Sequence, residues 1–301
     1  MPDPLAQVIS LLRPSASFSK LVTGSGCWAV RPPATDPFYG AMLDGGCELS
    51  IAGREPLRLG EGDFMLVPAA SDFTVTSLGR PPEEVVTEPS EVSPGLFHLG
   101  ASDTPDVRML VGHCAFGSPD AGLLVSLLPN IVVVRGARRL TTLVELLSEE
   151  AGADRPGRDA VLSRLLEVLL IEAFRATAEP TAAPGLLRGL ADKRLAVALR
   201  LIHGETTRPW AIGDLARDCG LSRSTFCDRF RREVGVAPMA YLLGWRMAIA
   251  RDLLRGTDLT VGEVSRRVGY GSASAFSVAF TRHVGAPPTT YARQHPQRGA
   301  A

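Results

Sequence analysis

Lysine is nearly missing from this 301-residue chain. Lys20 and Lys193 are the only two among 32 basic residues, so the positive charge rests on arginine. Arginine forks onto phosphate and guanine where lysine acts as a point charge, although biased codon usage gives the same composition. No apolar run reaches the ~20 residues of a membrane helix. The N-terminus also lacks a basic segment followed by an apolar one, so neither a membrane partner nor an export signal is expected, and the expected location is cytoplasmic. Five cysteines, an odd number without regular spacing, do not make the framework of a secreted disulfide-rich domain. Ser17-Phe18-Ser19-Lys20 matches the SxxK of serine acyl-enzymes but lacks their companion motifs, and is read as coincidence.

The zero net charge conceals a division. Residues 191–301 hold 17 basic and 9 acidic side chains, a balance of +8, and residues 1–190 carry −8. A basic C-terminal third is the footprint of a phosphate-binding surface. The length suggests two domains.

Within the basic third a segment occurs twice. SRSTFCDRFRREVGVAPMAY (from Ser222) and SASAFSVAFTRHVGAPPTTY (from Ser272) agree at nine of twenty positions at an offset of 50, including Phe226/Phe276, Phe230/Phe280, Gly235/Gly285 and Tyr241/Tyr291. A repeat marks one structural unit used twice. Upstream of each copy, apolar residues at helical spacing (Ile212, Leu215, Ala216, Cys219; Val261, Val264, Val268) precede a glycine suited to end a helix and a serine suited to cap the next. Helix, glycine turn and second helix make a helix-turn-helix, whose second helix enters the DNA major groove. Between the copies, residues 237–255 read as a helix of about 28 Å. That length approaches the ~34 Å between successive major grooves on one face of DNA.

These strings resemble the DNA-binding domain of the AraC/XylS transcription regulators, over about residues 191–295. The resemblance implies that Phe226, Phe230, Phe276, Phe280, Leu215 and Trp245 are core. The opposite faces would then read bases, through Arg223, Ser224, Cys227 and Asp228 in the first copy. In the second they would do so through Ser272, Ala273, Ser274, Ser277 and Val278, by a thymine methyl or through the backbone alone. Arg223, also a base-reading candidate, and Arg229, Arg231, Arg232, Arg266, Arg267 and Arg282 are the expected phosphate contacts.

Residues 22–134 change character, to short apolar runs broken by Gly, Pro and Asp, the pattern of an all-β barrel or sandwich. Gly60-Glu61-Gly62-Asp63 leading into a run that ends at Pro68 resembles the second motif of the cupin jelly roll, and residues 20–135 resemble the cupin-like sensor of an AraC branch, including LLVSLLPNIVVV from Leu123. Metal-binding cupins place histidines in both motifs, whereas this chain has none before His98, so no metal or other cofactor is expected. Residues 81–94, acidic and proline-rich, read as a long loop.

The expected fold is thus a two-domain α+β chain. A cupin-like β-barrel sensor occupies residues 1–140, opening on a short amphipathic helix. The helices at 141–178 carry an apolar face that either packs under the barrel or pairs with its counterpart in a dimer, and the family resemblance implies the dimer. A linker at 179–190, the all-α double helix-turn-helix domain at 191–295 and a tail at 296–301 complete it. Cys27, Trp28, Tyr39, Cys47, His113 and Cys114 are the candidates for sensing an effector or a redox change. The expected partners are double-stranded promoter or operator DNA and a second copy of the chain, with RNA polymerase and a small-molecule effector as further ones. No catalytic residue is expected. Two alternatives stand beside this reading: a metal-dependent cupin enzyme fused to a DNA-binding module, and a barrel that only dimerises the chain.

Overall fold

The computed structural model describes residues 3–32, 36–51, 55–68, 72–78, 86–102, 104–118, 121–125, 128–153, 155–176 and 184–294. Two units divide the chain. A β-rich unit comprises Arg13–Gly117 and Pro129–Thr177, and a helical unit comprises Met1–Leu12, Ser118–Leu128 and Ala178–Ala301.

In chain order, α1 (Pro4–Leu12) precedes β1 (Pro14–Gly24), β2 (Ala29–Val30), β3 (Phe38–Asp44), β4 (Gly46–Ile51) and β5 (Leu57–Gly60). Next come β6 (Phe64–Val67), β7 (Phe73–Ser77), β8 (Ser90–Ser93), β9 (Leu96–Leu99) and β10 (Val107–Phe116). Then follow α2 (Ala121–Val125), β11 (Val132–Val134), α3 (Arg138–Gly152) and α4 (Arg158–Ala176). The remaining helices are α5 (Leu186–Ala191), α6 (Leu195–Gly204), α7 (Ile212–Asp218), α8 (Arg223–Val234), α9 (Pro238–Gly256), α10 (Val261–Arg267), α11 (Ala273–Val284) and α12 (Pro288–Gln294).

Seven strands in the order β11-β6-β3-β10-β1-β9-β8 form one sheet of the β-rich unit, and β2-β7-β4-β5 form the other. Alternation along the strands sorts their side chains into two faces. Phe38, Met42, Met65, Val67, Met109 and Val111 join Cys47, Leu49, Leu59, Phe73 and Val75 of the smaller sheet in one core. The intervening Tyr39, Ala41, Phe64, Leu66, Leu110 and Cys114 are buried as well, on the face that α3 and α4 cover. Covering on both sides is why these strands read as continuous apolar runs. Each large side chain buried this way contributes about 1.5–3 kcal/mol.

The glycine-aspartate turn has a visible cause. Gly62 is left-handed (φ 79°), a conformation that glycine adopts without steric cost. Asp63 accepts from the Gly60 N–H at 2.9 Å and the Gly136 N–H at 3.2 Å, and pairs with Arg135. Burial pushes its carboxyl up, but these donors outweigh it and hold the group below the usual carboxylate range.

The structure departs from the sequence reading in four places. The first strand begins at Pro14 and not near Val22, because pairing with β10 along its length overrides the weak strand preference of Ser15, Ser17 and Ser19. Within the expected loop at 81–94, Ser90–Ser93 forms an exposed edge strand that Gly95 (φ 78°) turns back onto β9; residues 79–85 lie outside the described residues. In the expected linker, Leu186 and Leu187 are buried in α5, which packs on α6 and α8; residues 177–183 and the tail at 295–301 lie outside the described residues. Finally, α1 and α2 group with the helical unit and not with the barrel. The buried stripe Leu5, Val8, Ile9 and Leu12 explains α1, which packs on α6 and α9.

His203 anchors that packing. Protonated at Nδ1, it donates to Gln7 Oε1 at 2.9 Å and accepts at Nε2 from the Tyr241 hydroxyl at 2.8 Å. Its ring lies 4.0 Å from that of Trp245. Burial pushes its pKa down to about 3. The sequence repeat returns as repeated packing: Phe226–Phe230–Tyr241 centroids are separated by 5.6 and 5.8 Å, and Phe276–Phe280–Tyr291 by 5.4 and 5.6 Å.

Candidate nucleic-acid interface

Each copy builds its second helix by the same local chemistry. The α7–α8 turn passes through left-handed Gly220 (φ 63°), and the α10–α11 turn through Gly269 (φ 80°). Ser222 Oγ then accepts from the Thr225 N–H, and Ser272 Oγ from the Ala275 N–H, each at 3.2 Å. Such caps stabilise a helix by about 1 kcal/mol. Gly235 (φ 87°) and Gly285 (φ 86°) end the two helices. A capping box, Thr260 with Glu263, starts α10.

Phe226, Phe230 and Val234 bury one side of α8, and Phe276 and Phe280 one side of α11. On α8, Arg223, Ser224 and Asp228 are exposed and Cys227 is half-buried. On α11, Ala273, Ser274 and Val278 are exposed and Ser277 is half-buried. Val278 is 71% exposed. Between the two copies, the 19 residues of α9 form a rod of about 28 Å.

The arginines separate into two classes. Arg231, Arg266, Arg267 and Arg282 are exposed in the last turns of α8, α10 and α11. Arg229 instead pairs with the half-buried Asp192, whose carboxyl is raised by burial but lowered further by Arg229 and by the Leu195 and Arg194 N–H groups. Arg232 is held by Glu233 at 2.8 Å. The contact that orients Arg223 is not legible in the sequence: its guanidinium covers Gly213, where a Cβ would stand 2.7 Å from Nη2.

The sensing candidates do not converge. A cavity of about 340 Å³ opens into the β-rich unit, lined by Lys20, Phe38, Met65, Met109, Val111 and His113 among others. Of the six candidates it takes His113, whose ring meets Phe38 edge-on at 5.1 Å. Burial, together with Lys20, lowers the His113 pKa against the opposing pull of Asp36. Trp28 and Cys47 are core, and Tyr39 lies over Gly112 on the helix-covered face. Cys27 is exposed. Burial pushes the Cys47 and Cys114 thiols up to about 12, which suppresses the reactive thiolate. Among the described residues no three His, Cys, Asp or Glu side chains are grouped to hold a metal ion. No helix among the described residues is long and apolar enough to cross a membrane.

Comparison with known proteins adds the following. The cupin family matches residues 3–179, over half of the chain, and a helix-turn-helix domain family matches residues 215–294. An AraC-like transcription regulator of Streptomyces lividans is 34% identical over 98% of this chain and 99% of its own length. One from Streptomyces antibioticus is 33% identical over 98% and 99%. The transcriptional regulator AlkR of Acinetobacter baylyi is 32% identical over 59% of each chain. Among solved structures, the DNA-binding domain of the global transcriptional factor AdpA, in complex with a target DNA, is 31% identical, covers 33% of this chain and 89% of that one, and has a TM-score of 0.32. The chain therefore belongs to the AraC-like family of DNA-binding transcription regulators, with a cupin domain at its N-terminal end.

Proposed function

We propose that this chain is a regulator and not an enzyme, and that it reads double-stranded DNA through α8 and α11 in successive major grooves. The observation that carries the reading is the shared plan of the two helices. Each turns an aromatic face inward and an exposed face outward, with Arg223, Ser224 and Asp228 on α8 and Ala273, Ser274 and Val278 on α11, at either end of one 19-residue rod. Arg231, Arg266, Arg267 and Arg282 contact phosphates, while Arg223 and Val278 meet bases. Salt sensitivity follows from the phosphate contacts.

The barrel cavity holds a small, largely apolar effector, with polar contacts available from Lys20, Arg31, Thr87, Glu88 and His113. A second copy of the chain pairs along α4, where Val161 and Val168 are exposed two turns apart on one face. Effector binding biases how the dimer presents its reading helices to DNA, and the bound regulator acts on RNA polymerase at the promoter.

Mobility shifts of the full-length chain test the DNA reading. Val278→Glu combined with Arg223→Ala should abolish retention of a duplex selected by the wild-type chain while leaving the melting temperature unchanged. Retained affinity in a folded double variant would rule out α8 and α11 as the reading helices.

A further inference from the structure

Two reading heads in one chain bind as a unit only if their separation is held. α9 joins them end to end, but the second head packs its own core on the C-terminal part of that helix, through Met247, Ala250 and Leu254 against Val264, Phe276 and Phe280. Nothing in that arrangement alone prevents one core from rocking against the other. A lateral contact does.

Arg246 projects from the middle of α9 and is half-buried. Its Nε donates to the Thr206 carbonyl oxygen at 3.0 Å, and its Nη2 donates to the Arg208 carbonyl oxygen at 2.7 Å. Both acceptors lie in the loop between α6 and α7 that leads into the first head. The same guanidinium stands 5.9 Å from the ring centre of Tyr270, in the turn of the second head. Neighbouring Gly269 completes the seam: a Cβ there would stand 2.7 Å from Arg246 Nη2 and 2.7 Å from the Thr207 carbonyl oxygen. The equivalent glycine of the first copy, Gly220, has open space around it. Gly269 is thus required twice over, by its left-handed backbone and by the close approach of the loop.

We propose that Arg246 is a positioning residue that latches the loop before the first head to the turn of the second, and so confines the chain to sites with one spacing between groove segments. This rests on the reading of α8 and α11 as DNA-reading helices. The planar, forked guanidinium holds two carbonyls and a ring in one fixed geometry, where a lysine ammonium would be a single point donor on a flexible stem. Holding the heads at a fixed separation raises the effective concentration of the second once the first has docked. A loosened seam weakens binding to the correctly spaced site and softens the penalty for a wrong one.

Two measurements on the full-length chain test this. In a Cys27→Ser, Val278→Cys background, spin labels on Cys227 and position 278 report the head-to-head distance. A single narrow distribution is expected in the parent. In Arg246→Gln it should broaden by about twofold, with Arg246→Lys between the two. The second measurement uses the duplex that the wild-type chain selects from a random pool, and the same duplex with five base pairs inserted between its two protected segments, about half a helical turn. The insertion should cost the wild type about thirtyfold or more in affinity. For Arg246→Gln the intact duplex should bind about tenfold more weakly, and the insertion should cost less than about threefold. Unchanged distance distributions and an unchanged insertion penalty would overturn the latch. If Arg246→Gln does not fold, Arg246→Lys decides on the same criteria. If the wild-type chain retains no duplex, the two-head reading fails, and the distance distributions alone still decide whether Arg246 holds the seam.

Discussion

Ser277 turns its hydroxyl back along α11 and donates to the carbonyl oxygen of Ala273 at 2.7 Å. The Ser277 proton is thus committed within its own helix, and on the proposed reading Val278 supplies the apolar contact of the second head. In the major groove the apolar feature of a base edge is the thymine methyl. Replacing thymine by uracil in the segment under α11 should weaken binding by about three- to fivefold, the scale of one buried methyl contact. The same replacement should have less than about a twofold effect on Val278→Ala. Competition binding with the two duplexes measures this, and a uracil effect that survives Val278→Ala would assign the methyl contact elsewhere.

Arg223 is set differently. Its guanidinium crosses Gly213 at the start of α7 and is aimed by that contact. Arg223→Ala should weaken the selected duplex by about 1–3 kcal/mol and relax preference at one base pair. A uniform loss across all sequences, read by competition against a random pool, would make Arg223 a phosphate contact.

The two arginine classes should separate by readout. Arg266→Gln with Arg267→Gln should leave the melting temperature in place and flatten the slope of log affinity against log salt by about two. Arg229→Met should do the reverse. It removes the cation paired with the half-buried Asp192 carboxylate, so the chain should melt earlier by several degrees with its salt slope intact. Calorimetry and salt titration of the same preparations check both.

His203 predicts a pH dependence. Its pKa lies near 3 in the folded chain against an ordinary 6.5, so between those values the unfolded chain binds a proton that the folded chain refuses. Stability is therefore full above pH 6.5 and falls as the pH drops toward 3, with a slope approaching about 1.4 kcal/mol per pH unit. Hydrogen exchange of α6 and α9 should show this slope, and His203→Gln should flatten it. A slope of the opposite sign would mean that His203 is charged when folded.

The helical heads are legible because the local signals agree: Gly220 and Gly269 as stops of the first helices, Ser222 and Ser272 as caps of the second, and phenylalanines four apart. Such helices are closed within a dozen residues. What escaped depends on partners distant in sequence. Asp192 gives no sign that it meets Arg229, nor Gln7 that it meets His203, nor Arg246 that it reaches Thr206 and Arg208. The sensing candidates fared worse, since a one-residue step along a strand reverses the face. His113 reaches the cavity, while Cys114 beside it points to the covering helices, as Tyr39 does beside Phe38. α1 was misassigned because its apolar stripe says only that it packs, not on which unit.

Footprinting of the full-length chain on its selected duplex tests the central claim most directly. The account predicts two protected segments for each bound copy of the chain, on one face of the duplex and about 10 base pairs apart, with protection under α8 lost in Arg223→Ala and under α11 in Val278→Glu. A single protected segment, or two that respond together to either substitution, would contradict it.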